Sequence, residues 1–267
     1  MDLWGVVHDG INPYLGVVDA MRKLKSYNKK IILLSNSPRR SSAVKEQIEG
    51  IGIPNDAYDY IISSGELVFK YLNKISETSG EKLYYKISPK GKDFLTDRLI
   101  DRSTSDINKS DYVLLIGPVN DENDLVEDYI ELLKLCLKRS LKIVCANPDL
   151  SVIKGNKLVL CAGSIAEKYH EIGGEVILLG KPHYSAYNEC FKLFPQNTKN
   201  EFIAIGDSPL TDIKGANSSG IDSVFIMNGM HKNTIYKNNQ FDLQLACNLF
   251  KENNIDFPTA FMEKLIW

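Results

Sequence analysis

The chain has 267 residues, a formal charge of −2, and ordinary apolar and charged fractions of 43% and 25%. That length supports a buried core, the composition excludes disorder, and the charge gives no electrostatic case for nucleic acid or an anionic membrane. No apolar stretch approaches the ~20 residues needed to span a bilayer, and the first residues lack the long apolar run of a signal peptide.

The first residues, MDLWGVVHDG, put an acid directly after Met1 and a His-Asp pair at His8 and Asp9. From there, short apolar runs alternate with helical patterns. The runs are residues 30–35, 58–63, 83–87, 112–117, 141–146, 157–161, 175–180, 202–207 and 222–226. Most are continuous rather than alternating, as in strands buried on both faces of a parallel sheet. Residues 124–140 read as a helix. Leu125, Tyr129, Leu132, Leu133 and Cys136 share one face, acids gather in the first turn and Lys/Arg in the last. The alternation predicts a doubly wound α/β fold. The stretch 76–110 is more polar and marks entry into a second, inserted α/β layer. The five cysteines form no CxxC pair and read as reduced core residues of a cytoplasmic protein.

In such a sheet, ligands bind at the carboxyl ends of the strands. There the sequence sets Ser35-Asn36, Lys181-Pro182, and Asp207 followed by Asp212, with Asp2 from the N-terminal stretch. These residue types suit phosphoryl transfer. A carboxylate such as Asp2 can attack phosphorus. Asp2, Asp207 and Asp212 are hard oxygen ligands for Mg²⁺. The Ser35 hydroxyl can hold phosphoryl oxygens, and Lys181 can offset their charge. Each stretch also has a plainer reading. Residues 35–38 make a good helix N-cap before RRSSAVKEQI, and GDSPLTDI makes a loop with a capping Asp.

The order DxxGV, SN, GKP, GDxxxTDI resembles the haloacid dehalogenase superfamily of phosphohydrolases. Roughly 145 residues separate Ser35 from Lys181, which is similar to subfamily IIA, where a large α/β cap is inserted at that point. CANPDL (145–150) resembles the NPD stretch of those caps, and DLWGVVHDG resembles the first motif of one branch of the subfamily. The resemblance implies a Rossmann-like parallel-sheet core of residues 1–78 and 178–267 and a cap of 79–177. It implies an aspartyl-phosphate mechanism with Asp2, Ser35 and Lys181 catalytic. Asn36, Asn147 and Asp149 would contact substrate, and Asp2, Asp207, Asp212 and the Trp4 carbonyl would ligate Mg²⁺. The expected partner is a small phosphorylated metabolite, with a homodimer through the cap left open.

Two departures stand out. The family reads Asp-x-Asp at its first motif, and its second acid protonates the leaving group; here that position is Trp4, whose indole N–H exchanges no proton at neutral pH. His8, Asp9 and His183 are the candidate replacements. The second departure is the first core strand, which is missing ahead of Asp2. Either the sequence begins downstream of the true start, or the protein is a decayed fragment, or residues 3–7 slide into the strand position and bring Asp9 to its end. The chief rival function is a non-hydrolytic phosphate-ester binding protein. A response-regulator receiver is disfavoured by length, and a dinucleotide-binding dehydrogenase by the lack of an early GxGxxG.

Overall fold

The computed structural model describes residues 1–79, 82–91, 94–96, 102–154, 157–238 and 240–267. The chain divides into two compact units. The first is Met1–Ser35, Lys45–Ile62 and Lys181–Trp267; the second is Asn36–Val44 and Ser63–Gly180.

In the first unit, Ile203–Gly206 pairs in parallel with Asp222–Ile226, which pairs in parallel with Ala260–Met262. Ile32–Ser35 pairs with Tyr60–Ser63. Asp222–Ile226 is buried along most of its length, whereas Ile203 and Tyr60, in the strands Ile203–Gly206 and Tyr60–Ser63, are exposed. Leu33, Phe225 and Phe250 are fully buried, and Phe225 packs edge-on against Phe250 and Phe261.

Met1 and Asp2 join the two strand groups. The Met1 nitrogen donates to the Ile32 carbonyl at 2.9 Å. Leu34 N–H donates to the Met1 carbonyl, and Asp2 N–H to the Ile205 carbonyl, both at 2.8 Å. A cavity of about 630 Å³ adjoins these two residues, lined by Ile32, Tyr187, Phe194 and Ile203. Residues 3–7 do not enter the strand position. They turn, with the Leu3 carbonyl accepting from Val7 and His8 N–H, and Leu3, Val6 and Val7 are buried. The sliding alternative for Asp9 is thereby excluded.

The second unit holds a five-stranded parallel sheet. Its order is Ser103–Thr104, Tyr84–Ile87, Tyr112–Leu115, Lys142–Cys145, Val176–Leu178. The predicted helix at 124–140 is a short 3₁₀ turn, Val126–Tyr129, leading into Ile130–Lys138. Its face packs Tyr129, Leu133 and Cys136 against Val113 and Ile143 of the sheet and against Ile165 and Tyr169. The run 157–161 departs from the parallel expectation: Lys157–Leu160 forms an antiparallel pair with Ser151–Lys154. Cys136, Cys145, Cys161 and Cys190 are buried free thiols, as expected. No helix among the described residues is long and apolar enough to cross a membrane.

Candidate active site

The site in the first unit is assembled at strand ends. Asp2 stands where its backbone leaves the Ile205 rung. Asp207 follows the strand Ile203–Gly206, and the π-helical turn Pro209–Ile213 swings Asp212 back beside it. One oxygen from each of Asp2, Asp207 and Asp212 lies within 4.8 Å of the others. Lys181 reaches between them, its Nζ donating to Asp2 Oδ1 at 2.5 Å and to Asp212 Oδ1 at 2.7 Å. Lys181, Asp207 and Asp212 are each 3% exposed.

Backbone geometry fixes these side chains. Ser208 N–H donates to Asp212 Oδ2 at 3.2 Å, and Met230 N–H donates to Asp207 Oδ2 at 2.6 Å. Gly5, at φ +88°, passes so close to the Asp207 carboxylate that a Cβ would fall on it; the left-handed backbone also favours glycine there. Gly229 closes on the same carboxylate from the next loop. The Tyr187 hydroxyl donates to the Asp212 carbonyl at 2.9 Å. Tyr187 and the loop 228–230 are the site residues that the sequence reading passes over. The signal for the loop is a glycine just beyond Asp222–Ile226, the strand that pairs with the one leading to Asp207.

Three carboxylates against the Lys181 ammonium set the electrostatics. Burial, then Asp2 and Asp212, hold the Asp207 carboxyl well above the usual carboxylate range. Burial also pushes Asp212 up, against Lys181 and with Asp2, to about 6. Burial alone would pull the Lys181 ammonium down; Asp2 and Asp212 overcome it and hold its pKa well above the ordinary lysine value. Clustered oxygen donors with surplus negative charge fit a hard divalent cation such as Mg²⁺. Asp2, Asp207 and Asp212 are the residues that would hold it.

The remaining predicted residues fall as follows. Ser35 closes the strand Ile32–Ser35. Asn36, Asn147 and Asp149 come together in the second unit. Asn36 Nδ2 donates to Asp149 Oδ1 at 2.7 Å, and Asp149 N–H donates to Asn147 Oδ1 at 3.0 Å. The helix after Ser35 starts only at Ser41, whose N–H donates to Glu66 Oε2 at 3.2 Å. Residues 35–38 therefore do not cap it.

Trp4 lies half-buried, its ring against Gly10 and edge-on to His8 with centroids 5.5 Å apart. His8 Nδ1 accepts from Gly10 N–H at 2.9 Å, which assigns the ring proton to Nε2. Burial pushes its pKa down to about 4, so it carries no extra proton at neutral pH. Asp9 is exposed, and its Oδ1 accepts from Ile11 and Asn12 N–H at 2.9 and 2.8 Å. It caps a turn. His183 is the N-cap residue of the helix Tyr184–Lys192.

His8 gives a pH prediction. A histidine whose folded pKa lies below its unfolded 6.5 binds fewer protons folded than unfolded between those values, so stability rises with pH there. The contribution is complete above pH 6.5 and is lost as pH falls toward 4, with a ceiling of ~3 kcal/mol. Thermal melts from pH 4.5 to 7.5 should rise more steeply for the wild type than for His8→Gln; parallel curves would refute the assignment.

Comparisons with known proteins agree with this architecture. A family model described as haloacid dehalogenase-like hydrolase matches residues 1–98, and one described as HAD-hydrolase-like matches residues 178–251. No curated protein matches the chain. Among solved structures, a hydrolase of the haloacid dehalogenase-like family from Brucella suis is similar at 30% identity and TM-score 0.83, covering 99% of this chain and 94% of that one. A possible sugar phosphatase from Cytophaga hutchinsonii is 19% identical with TM-score 0.78, over 100% and 93% of the two chains. A p-nitrophenyl phosphatase from Archaeoglobus fulgidus is 18% identical with TM-score 0.71, over 99% and 94%. The last two likenesses speak to fold only. With nearly full mutual coverage of the Brucella protein, and family models at both ends of the sequence, the chain belongs to the haloacid dehalogenase-like hydrolases.

Proposed function

We propose that this hydrolase is a Mg²⁺-dependent phosphatase of the subfamily IIA type, acting on a small phosphate monoester through an aspartyl-phosphate. The observation that carries the reading is the Lys181 ammonium held between Asp2 and Asp212 at 2.5 and 2.7 Å, with Asp207 in the same cluster. A surface ion pair needs no such burial. A nucleophilic carboxylate beside a fixed positive charge does, because the charge that builds on the phosphoryl oxygens is stabilised most in a dry, preorganised site. The phosphatase names of the Cytophaga and Archaeoglobus structures support the same reaction class.

In this reading an Asp2 carboxylate oxygen attacks phosphorus and Lys181 offsets charge on the equatorial oxygens. Ser35, at the end of its strand, holds a phosphoryl oxygen. Asp2, Asp207, Asp212 and the Trp4 carbonyl would hold the metal, which would supply positive charge to the transferring phosphoryl group. Residues 79–177 act as the cap that selects the substrate, with Asn147 and Asp149 contacting it alongside Asn36.

The test requires no knowledge of the natural substrate. Fluoroberyllate with Mg²⁺ mimics a phosphorylated aspartate. At ~100-fold above Kd it should stabilise the fold by about 2.7 kcal/mol, and Asp2→Asn should lose that gain. A cooperatively folded chain with no shift would count against an assembled site. A shift without turnover of any ester would favour a binding protein.

A further inference from the structure

Two of the three clustered acids come from one stretch of chain, and they are placed differently. Asp207 directly follows the strand Ile203–Gly206, whereas Asp212 is carried back to it by the π-helical turn Pro209–Ile213. A turn of that kind is a rare departure from the regular helix and recurs at functional sites. Charge works against the placement. Asp2, Asp207 and Asp212 bring oxygens within 4.8 Å of one another, and like charges at such range drive each carboxylate away unless it is tethered.

The carboxylate of Asp212 is held at both oxygens. Oδ1 accepts from Lys181 at 2.7 Å, and Oδ2 accepts from Ser208 N–H at 3.2 Å. Gly206 lies so close that a Cβ there would fall on the Asp212 carboxyl. A further tether acts on the backbone. The Tyr187 hydroxyl donates to the Asp212 carbonyl at 2.9 Å, with the Thr211 carbonyl at 3.4 Å. This bond leaves both carboxylate oxygens out, so it holds the turn while those oxygens are given to a cation.

The tyrosine is itself fixed. It is 3% exposed and belongs to the helix Tyr184–Lys192. Its ring lies against Gly215, in the helix Lys214–Ser219 that continues from the turn. A Cβ on Gly215 would run into the ring and the hydroxyl, so the glycine is what admits the side chain. Lys181 stands just ahead of the same helix. One segment of chain thus grips Asp212 by its carboxylate and by its backbone.

We propose that Tyr187 is a positioning residue for the divalent-cation site, holding the backbone of the turn so that Asp212 meets the cation in a fixed geometry. The inference rests on the reading of Asp2, Asp207 and Asp212 as Mg²⁺ ligands. Mg²⁺ demands near-ideal octahedral geometry, with oxygens at about 2.0–2.1 Å. A turn free to relax away from its like-charged neighbours presents Asp212 out of place, and affinity falls although every ligand remains.

The experiment titrates the intact chain with Mg²⁺ alone by isothermal calorimetry, for wild type, Tyr187→Phe and Tyr169→Phe. Tyr187→Phe deletes the hydroxyl and keeps the ring against Gly215. Tyr169→Phe is the control. Tyr169 is fully buried in the second unit, and its hydroxyl donates to the Leu141 carbonyl at 2.5 Å, a bond of the same kind outside the cluster. The expected result is a Mg²⁺ Kd raised ~10-fold or more in Tyr187→Phe, the lower end for residues that orient metal ligands. In Tyr169→Phe the Kd should stay at the wild-type value, although both variants melt below wild type without metal. At Mg²⁺ sufficient to saturate the variant, fluoroberyllate should stabilise Tyr187→Phe as it does wild type. A lower melting temperature with an unchanged Mg²⁺ Kd would overturn the inference and leave Tyr187 a packing residue. So would a fluoroberyllate shift still missing at saturating Mg²⁺, which would make Tyr187 act on the phosphoryl group rather than through Asp212. A wild type that binds no Mg²⁺ would instead remove the reading of the three acids as its ligands, and this inference with it.

Discussion

Lys181→Met will destabilise the chain by about 3–5 kcal/mol at neutral pH, the range for removing one partner of a buried ion pair. For a chain of this size that is a fall in Tm of roughly 10 °C. Methionine nearly matches the lysine stem in shape, so the loss comes from charge rather than from a cavity. The ammonium is 2.5 Å from Asp2 and 2.7 Å from Asp212. Without it, three carboxylates face one another with no cation between them. The penalty has a definite pH dependence. Asp207 and Asp212 have folded pKa values above the unfolded carboxylate value even with lysine present. An acid of that kind binds more protons folded than unfolded, so its contribution to stability falls as pH rises through the window between the two values. Removing Lys181 pushes the folded values higher and extends the window upward. The difference between Lys181→Met and wild type should therefore shrink at pH 5 and widen at pH 8, read by thermal or urea melts. A constant difference would mean that the lysine acts by packing alone. Mg²⁺ should stabilise the variant, since a cation bound by the same oxygens replaces part of the lost charge.

What was legible in the sequence is the part that local chemistry specifies. FIAIG is a strand because its β-branched residues suit an extended, paired run, and the acid that follows must then sit at the strand's carboxyl end. Asp212 was legible from the same stretch, because Pro209 starts a turn that returns the chain to Asp207. Lys181 was legible as the residue after a strand-like run. The features that escaped depend on partners distant in sequence. Met230 N–H and Gly229 reach Asp207 from a loop more than twenty residues away, and nothing within residues 228–230 names that target. The strand Ala260–Met262 is short and mostly exposed on its outer edge; the ladder with Val224–Ile226 defines it, not its own pattern. The antiparallel pair of Ser151–Lys154 with Lys157–Leu160 did carry a signal, since two apolar runs only two residues apart have the spacing of a hairpin. Reading KLVLC as one more parallel strand passed over it. At Ser35-Asn36-Ser37-Pro38 the capping chemistry was sound but the helix started later. Glu66, from another segment, accepts the Ser41 N–H there, and no local rule locates such a partner.

Asp2→Asn against Asp9→Asn separates the two acids that the opening ten residues offer. Asp2→Asn should reduce Mg²⁺-dependent phosphatase activity by roughly 10⁴-fold or more, as loss of a nucleophile does where only binding and charge stabilisation remain. Asp9→Asn should leave activity within a few-fold. The contrast follows from what each carboxylate touches. Asp2 meets Lys181 inside the cluster of Asp207 and Asp212. Asp9 spends its Oδ1 on the Ile11 and Asn12 N–H groups at the surface, and an asparagine oxygen can accept the same two bonds. Stability distinguishes lost chemistry from lost fold. Replacing Asp2 by its amide removes one of three mutually repelling carboxylates while Lys181 keeps Asp212 at 2.7 Å. The Asp2 charge helps raise the pKa of both Asp207 and Asp212, so the variant should melt at or above the wild-type temperature in the absence of metal. Added Mg²⁺ should then stabilise it less than it stabilises the wild type, because one ligand charge is gone. Activity lost with the melting temperature preserved places Asp2 in the chemistry. Activity retained by Asp2→Asn but lost by Asp9→Asn would mean that the turn after Trp4, and not the end of the Ile205 rung, presents the nucleophile.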